Sequence, residues 1–378
     1  MQPTQRTDRK ASLDGSLELA GKSWKLAISD GRQPNATVVR LDDERRWERF
    51  LHLLQVLEHW RGKWCLAGDC AVRIIYEAGQ DGFWIARALQ ARGIEVFVVD
   101  PASVPVARHA RRVKTDRLDA LKLLDVLRSW LRGERSEVRM LHIPSEAAEA
   151  QRLLSRERGL LQKEIGQHRD RMRKRLLLYG CSDELDNSFV ERLTAGEVRC
   201  ADGARLPEEL WHWLMREAER LELVQKQLRT LEKTLLHQLP EPVQRTVANL
   251  VRLGGVGRVG AMRLVLELFW RDFANRRQVG SCVGLVPQPY DSGNSHTDQG
   301  ISKQGNRRVR ALLIEMAWFW VRYQPDSDLA KWFARRTAAG NGRGRRIAIV
   351  AVARRLAIAL WRYLRDGVVP AGAQLKPA

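Results

Sequence analysis

The chain has 378 residues, 44% of them hydrophobic, which is enough for two or three domains with cores of their own. It carries 65 Lys and Arg against 45 Asp and Glu, a net charge of +20 and a pI near 10.4, so the expected partner is a polyanion, nucleic acid first. Five scattered cysteines (Cys65, Cys70, Cys181, Cys200, Cys282) without CxxC spacing argue against a disulfide framework or a structural zinc site. The polar N-terminus lacks the apolar core of a secretion signal, and no stretch reaches membrane-spanning length. The expectation is a cytoplasmic, nucleoid-associated protein of a prokaryote, with no membrane partner. The charge is uneven: between Ile301 and Ala378 there are sixteen Lys and Arg but four Asp and Glu.

Residues 1–14 are polar and are expected to be disordered. Short strands are predicted at Leu17–Leu19, Trp24–Ile28 and Ala36–Leu41, parted by Gly21 and by the turn-forming run 30–35. A helix is predicted over about 43–60, with Trp47, Phe50, Leu51, Leu54 and Leu57 on one face. A strand over Val72–Tyr76 ends at Glu77-Ala78-Gly79. A helix over Phe83–Ala91, a strand over Val96–Val99 and a helix from Asp116 to about Leu131 follow. Three β-segments, a helix, then β-α-β-α is the order of a ribonuclease-H-type (RuvC-like) α/β domain, placed here at 15–135. Its first three strands form an antiparallel meander, and the later ones run parallel to the first through helical crossovers.

Two long helices are predicted over 145–179 and 207–238. Their apolar stripes are Leu154, Leu161, Ile165, His168, Met172, Tyr179 and Leu214, Leu221, Val224, Leu228, Leu231, Leu235. They read as an antiparallel coiled-coil arm over 145–240, suited to dimerisation. An all-α domain is expected over 245–367, with a tail at 368–378. It opens on Leu253-Gly254-Gly255-Val256-Gly257-Arg258, a helix-hairpin-helix signature that would turn backbone N–H groups toward a phosphate. A glycine-rich turn packing the core is about as good a reading of that motif alone. Further on, Val309, Leu312, Leu313, Met316 and Trp320 form one helical stripe. A basic loop, Gly340–Arg346 with Arg343, Arg345 and Arg346, precedes a last helix.

Four acids are candidates for a metal site. Asp116 and Asp119 stand three apart at a helix start and project from one face. Glu18 lies in the first strand, and Glu77 at the C-terminal end of a strand parallel to it, where α/β sheets place ligands. Carboxylates gathered there repel one another and invite Mg²⁺. Taken singly, each is as well explained by helix capping or solvation; the ordered set on these elements is what carries the reading. The second candidate is Ser292 in Tyr290-Asp291-Ser292-Gly293-Asn294-Ser295, a polar loop with no His-Asp relay in view. Lys303, Arg307, Arg308 and Arg310 follow and could neutralise phosphate charge. Ser295 and Ser302 compete for the nucleophile's role, and a loop that merely binds phosphate explains the spacing as well.

These motifs resemble a known family. Tyr76-Glu77-Ala78-Gly79, Lys114-Thr115-Asp116-Arg117-Leu118-Asp119-Ala120, the glycine hairpin and Gly284-Leu285-Val286-Pro287…Ser292-Gly293…Gly300-Ile301-Ser302-Lys303-Gln304-Gly305-Asn306 are similar to those of certain insertion-sequence transposases. These carry an N-terminal RuvC-like DEDD domain and a C-terminal serine domain, and are described as bridge-RNA-guided recombinases. The resemblance, over about residues 15–365, implies that Glu77, Asp116 and Asp119 match three acids of a Mg²⁺-binding tetrad. It implies that Ser292 matches the serine that attacks DNA. It also implies a structured guide (bridge) RNA that pairs with element and target DNA, and homodimers that pair into tetramers. Glu18 stands where the family usually has Asp. The rivals are a hydrolytic RuvC-like nuclease of the junction-resolvase type and a decayed nucleic-acid-binding remnant.

Overall fold

A computed structural model of the chain describes residues 12–33, 35–104, 115–135, 138–235, 237–292, 295–338 and 342–376, with the backbone alone at 290–292 and 295–298. Arg111, Arg112 and Lys114, upstream of the helix-start acids, lie outside the described residues, as do residues 1–11 of the expected disordered segment. The chain forms two compact units, Met1–Ser145 and Glu146–Ala378.

The first unit contains β1 (Ser12–Leu19), β2 (Trp24–Ser29), β3 (Thr37–Leu41), α1 (Arg46–Lys63), β4 (Ala71–Glu77), α2 (Trp84–Gln90), β5 (Glu95–Val99) and α3 (Asp116–Leu131). Its strands make one five-stranded sheet in the order β3-β2-β1-β4-β5. β1, β2 and β3 pair antiparallel, while β1–β4 and β4–β5 are parallel, as the element order predicts for a ribonuclease-H-type domain. β1 begins at Ser12, ahead of the expected boundary at residue 15. Alternation along β1 sends Leu13 and Leu17 to one face, into a core with Trp24, Leu26, Phe50 and Leu53 beneath α1 and α2. The other face, with Ala27, Ile75 and Val99, is covered by Ala120, Leu123, Leu124 and Leu127 of α3.

The second unit is helical: α4 (Glu146–Leu177), α5 (Phe189–Thr194), α6 (Glu208–Thr234), α7 (Glu241–Val251), α8 (Arg258–Glu267), α9 (Arg276–Cys282), then α10 (Arg307–Tyr323), α11 (Asp328–Thr337) and α12 (Gly342–Asp366). α4 and α6 run antiparallel, because Arg158 meets Glu232 near one end and His168 meets Glu217 further along. Leu161, Ile165, Val224 and Leu228 fill the seam between them. His168, expected as a soft core position, is part of a buried polar layer: its Nδ1 lies 2.9 Å from a Glu217 oxygen. Burial alone would raise the Glu217 carboxyl, but hydrogen bonds from Arg171, His168 and Arg220 hold it below the usual carboxylate range. Tyr179 is exposed rather than part of the stripe, and α5 supplies Phe189 and Leu193 to a small core at that end of the helix pair.

The expectation of an all-α C-terminal domain is corrected at one place. β6 (Pro287–Ser292) and β7 (Ser295–Ile301) form an antiparallel hairpin between α9 and α10. Its base is fixed by two glycines. Gly284 (φ +64°) approaches the Gln304 carbonyl so closely that a Cβ there would lie 1.8 Å from the oxygen, and a Cβ on Gly305 (φ +89°) would lie 2.2 Å from the Cys282 carbonyl. No side chain fits between these backbones. Gly284→Ala is expected to destabilise the protein by about 1–3 kcal/mol from the unfavourable φ alone, read as a lowered melting temperature, whereas Gly342→Ala, where a Cβ meets nothing, leaves it in place.

Candidate functional site

The acidic end of the first unit is built on β1 register. Ser16 pairs with Ala27 and Glu18 with Lys25 across β2, so Glu18 and Lys25 share the face that α3 covers. Leu17 pairs with Tyr76 in β4, which puts Glu18 alongside Glu77 one residue further on. Glu77 is two residues beyond Ile75 and so points to the same face. α3 is pinned there: the buried Ser16 hydroxyl donates to the Ala120 carbonyl at 2.5 Å. Thr115 caps the helix, its Oγ1 accepting from the Leu118 N–H at 3.4 Å. Asp116 and Asp119 therefore occupy the first turn of α3 above the end of β1.

The four acids form two pairs on one sheet face. Glu18 and Glu77, both half-buried, line a cleft of about 290 Å³ with Gly79, Arg46 and Asp81. Asp116 lies 3.8 Å from Lys25 Nζ, and Asp119 lies 3.4 Å from Lys122 Nζ. Among the described residues no group of three or more Asp, Glu, His or Cys is drawn together closely enough to hold a metal ion. The donor chemistry of the set is nevertheless all carboxylate oxygen, the kind Mg²⁺ takes. Asp81, missed in the sequence, is the further acid of the cleft, where Arg46 Nε stands 2.7 Å from it. Proximity to Glu77 in the turn after β4 was the available signal.

Asp14 stands on the same face at the opposite end of β1, 3.4 Å from Arg73. Burial raises its carboxyl above the ordinary value of 3.8, and Arg73 offsets this only in part. A raised value means the fold prefers the neutral acid. That stabilisation is present below the ordinary carboxylate pKa and is lost as pH rises through the raised one. Asp14→Asn is therefore expected to raise the melting temperature at pH 7, with the gain shrinking as the pH is lowered toward 3.8; a lowered melting temperature at pH 7 would contradict this.

In the second unit Ser292 ends β6, paired with Ser295 at the start of β7. Gly293 and Asn294, between them, lie outside the described residues, as do Gly340 and Asn341 of the basic loop. At the hairpin base a cavity of about 720 Å³ opens against Pro287, Gly300 and Ile301. Lys303, Arg343 and Arg346 line it. Arg276 and Arg277 of α9 and Arg354 and Arg355 of α12 line it too and were missed in the sequence. The readable signal for α12 was its stripe Arg343, Ile347, Val350, Arg354, Ile358, which is one helical face.

The other expected phosphate ligands are dispersed. Arg307 and Arg308 are exposed on the first turn of α10. Arg310 turns inward and donates to the Val283 carbonyl at 3.1 Å, and burial and the neighbouring Arg307 push its pKa down. Arg345 lies over Trp318, 5.6 Å from the ring centre. In the glycine turn between α7 and α8, a Cβ on Gly255 would come 3.2 Å from the Phe319 carbonyl oxygen, a close approach to α10 of the kind a core-packing turn makes. Gly257 is the N-cap of α8 with extended backbone, and Arg258 follows it, exposed.

Two family models match the chain: one described as "Transposase" (DEDD_Tnp_IS110) over residues 44–180, and one described as "Transposase IS116/IS110/IS902 family" over residues 247–331. The chain is 38% identical over 376 residues to "Putative transposase y4rJ" of Sinorhizobium fredii, covering 96% of this chain and 94% of that protein. It is 28% identical over 320 residues to "Putative transposase y4qE" of the same organism, covering 78% and 76% of the two chains. It is also 24% identical over 300 residues to the transposase for insertion sequence element IS1328 of Yersinia enterocolitica, covering 78% and 84%.

Proposed function

Because the chain belongs to the transposases of the IS116/IS110/IS902 family, we propose that it cuts and rejoins DNA at an insertion sequence by attack of Ser292, assisted by Mg²⁺ held by Glu18, Glu77, Asp116 and Asp119. The observation that carries the metal half is the shared sheet end: Glu18 and Glu77 lie side by side in register, and α3 is tied to β1 so that Asp116 and Asp119 start above them. A divalent cation there supplies activation of the attacking oxygen and stabilisation of the leaving one. Lys25 and Lys122 keep the helix pair charge-balanced until it is engaged.

The serine half is supported by the resemblance and by the basic cavity at the hairpin base. In this reading the Ser292 oxygen forms a bond to phosphorus as the phosphorus–deoxyribose oxygen bond breaks, and the serine proton passes to the departing oxygen. Attack by a DNA hydroxyl on the phosphoserine then rejoins a strand and releases the serine, with no high-energy cofactor. Lys303, Arg343 and Arg346 neutralise phosphate charge beside it. Gly255, Gly257 and Arg258 at the α8 start and the exposed Arg307 and Arg308 add backbone contacts to DNA.

The metal-binding domain runs from the start of β1 to residue 135, followed by an arm over 145–240 and a serine domain over 245–367. The arm brings two copies together, and two such dimers make a tetramer holding both DNA ends. A structured guide RNA is the partner through which sites are chosen, read by shape and backbone on a basic surface.

Strand cleavage on element-end DNA tests the acids. Glu77→Gln and Asp116→Asn are each expected to lower Mg²⁺-dependent cleavage on the order of 10²–10³-fold while DNA binding in EDTA persists. Glu18→Asp, which shortens the side chain to the family's usual length, is expected to retain cleavage. Undiminished cleavage in both amide variants would remove the acidic set from the mechanism.

A further inference from the structure

The cavity at the base of the β6–β7 hairpin has more to it than a charged rim. Its floor is aliphatic: Leu285, Pro287, Ile301, Ile347, Val350 and Ile358. Ile347 is 61% exposed there, an apolar surface that water covers poorly. Among the described residues seven Lys and Arg surround this floor, and no Asp or Glu lines it. A contact with nucleic-acid backbone alone needs the cations but not the open aliphatic floor. Arg354 is anchored between α9 and α12, its Nε buried 3.3 Å from where a Gly280 Cβ would stand, while the residue lines the cavity.

We propose that this cavity takes an unpaired nucleotide, its phosphate held by the arginines of α9 and α12 and its base laid on the aliphatic floor. The occupant must be an anion with flat apolar faces. A base stacked inside a duplex cannot offer its face, whereas an unpaired or extruded one can. Guanidinium forks match phosphate bidentately and also stack on bases, so the same arginines serve both parts of the ligand. The volume of about 720 Å³ lies within the range of roughly 300–1,000 Å³ common to small-ligand pockets. The site lies at the base of the strand that ends in Ser292, so a nucleotide lodged here would anchor a strand whose neighbouring phosphates run along the hairpin.

The inference rests on the nucleic-acid reading above, and the test separates the two. The full-length chain is titrated with a short oligothymidylate and with an abasic oligomer of the same length and charge. The intact oligomer is expected to bind about tenfold more tightly, since removing roughly 50 Å² of apolar surface from water is worth about a factor of ten. Val350→Glu and Ile347→Asp, which put a carboxylate on the apolar floor, are each expected to abolish that difference. Equal affinity of the unmodified protein for the two oligomers would overturn the pocket and leave a backbone-binding surface. Displacement by poly-glutamate as efficient as by oligothymidylate would overturn it in favour of an acidic peptide. Failure of both oligomers to bind would overturn the nucleic-acid reading with it.

Discussion

The hydrogen bond from Ser16 to the Ala120 carbonyl sets the geometry of the N-terminal unit. It joins the middle of β1 to the first turns of α3 in a place where water does not reach; the Ala120 carbonyl keeps its helical partner in any case, but a Ser16 hydroxyl left without this acceptor would carry a desolvation penalty of about 1–3 kcal/mol. With α3 locked over β1, the alternation of the strand does the rest. Leu13 and Leu17 go to the α1 and α2 core, and Ser16 and Glu18 go to the α3 side. The parallel pairing of β1 with β4 carries the same face across to Glu77. A one-residue slip of β1 would reverse all of this, which is why the hydrophobic core and the acidic site are two outcomes of one register.

The C-terminal unit solves a different problem, holding many like charges in one place. Arginines from α9 and α12 and Lys303 surround one cavity without an acid among its described lining residues. Such a cluster is tolerated because Arg276, Arg277, Lys303, Arg343, Arg346 and Arg355 are exposed, so their stems lie on aliphatic surface while their heads stay hydrated, whereas Arg354 has its Nε buried. Arginines of α12 also rest on rings: Arg345 over Trp318, and Arg355 over Trp332 and Arg365 over Trp361 at 4.0 Å each. The backbone contacts at Gly284 and Gly305 hold the hairpin against this surface. The hairpin base is thus rigid and has concentrated positive charge beside it.

Much of the N-terminal unit was legible because local and long-range signals agree there. Thr115 followed by Asp116 and Asp119 marks a helix start by capping and dipole compensation, and α3 begins at Asp116. The strands read well because their apolar runs are bounded by turn residues. The β6–β7 hairpin did not read because Pro287-Gln288-Pro289-Tyr290-Asp291-Ser292 is polar, with two prolines and no apolar alternation. The two-residue Gly293-Asn294 connection between the strands was the one cue. The basic cavity was half legible: Lys303, Arg343 and Arg346 stand out in charge runs, but Arg276 and Arg277 join them only through tertiary packing. Arg310 looked like a phosphate ligand in a basic run, and the fold uses it to tie backbone carbonyls. His168 shows the reverse case, an unremarkable stripe position whose partner, Glu217, is set by the antiparallel pairing of α4 with α6.

The central claim is that Ser292 becomes covalently joined to DNA. The most direct measurement incubates the full chain with element-end DNA, Mg²⁺ and the element's own RNA, denatures the mixture, and looks for protein of shifted mass carrying DNA. Ser292→Ala, Ser295→Ala and Ser302→Ala are run beside it. The account predicts an adduct that is lost in Ser292→Ala and kept in the other two. Metal-dependent cleavage with no adduct in any of the four proteins would contradict it and make the chain a hydrolytic nuclease.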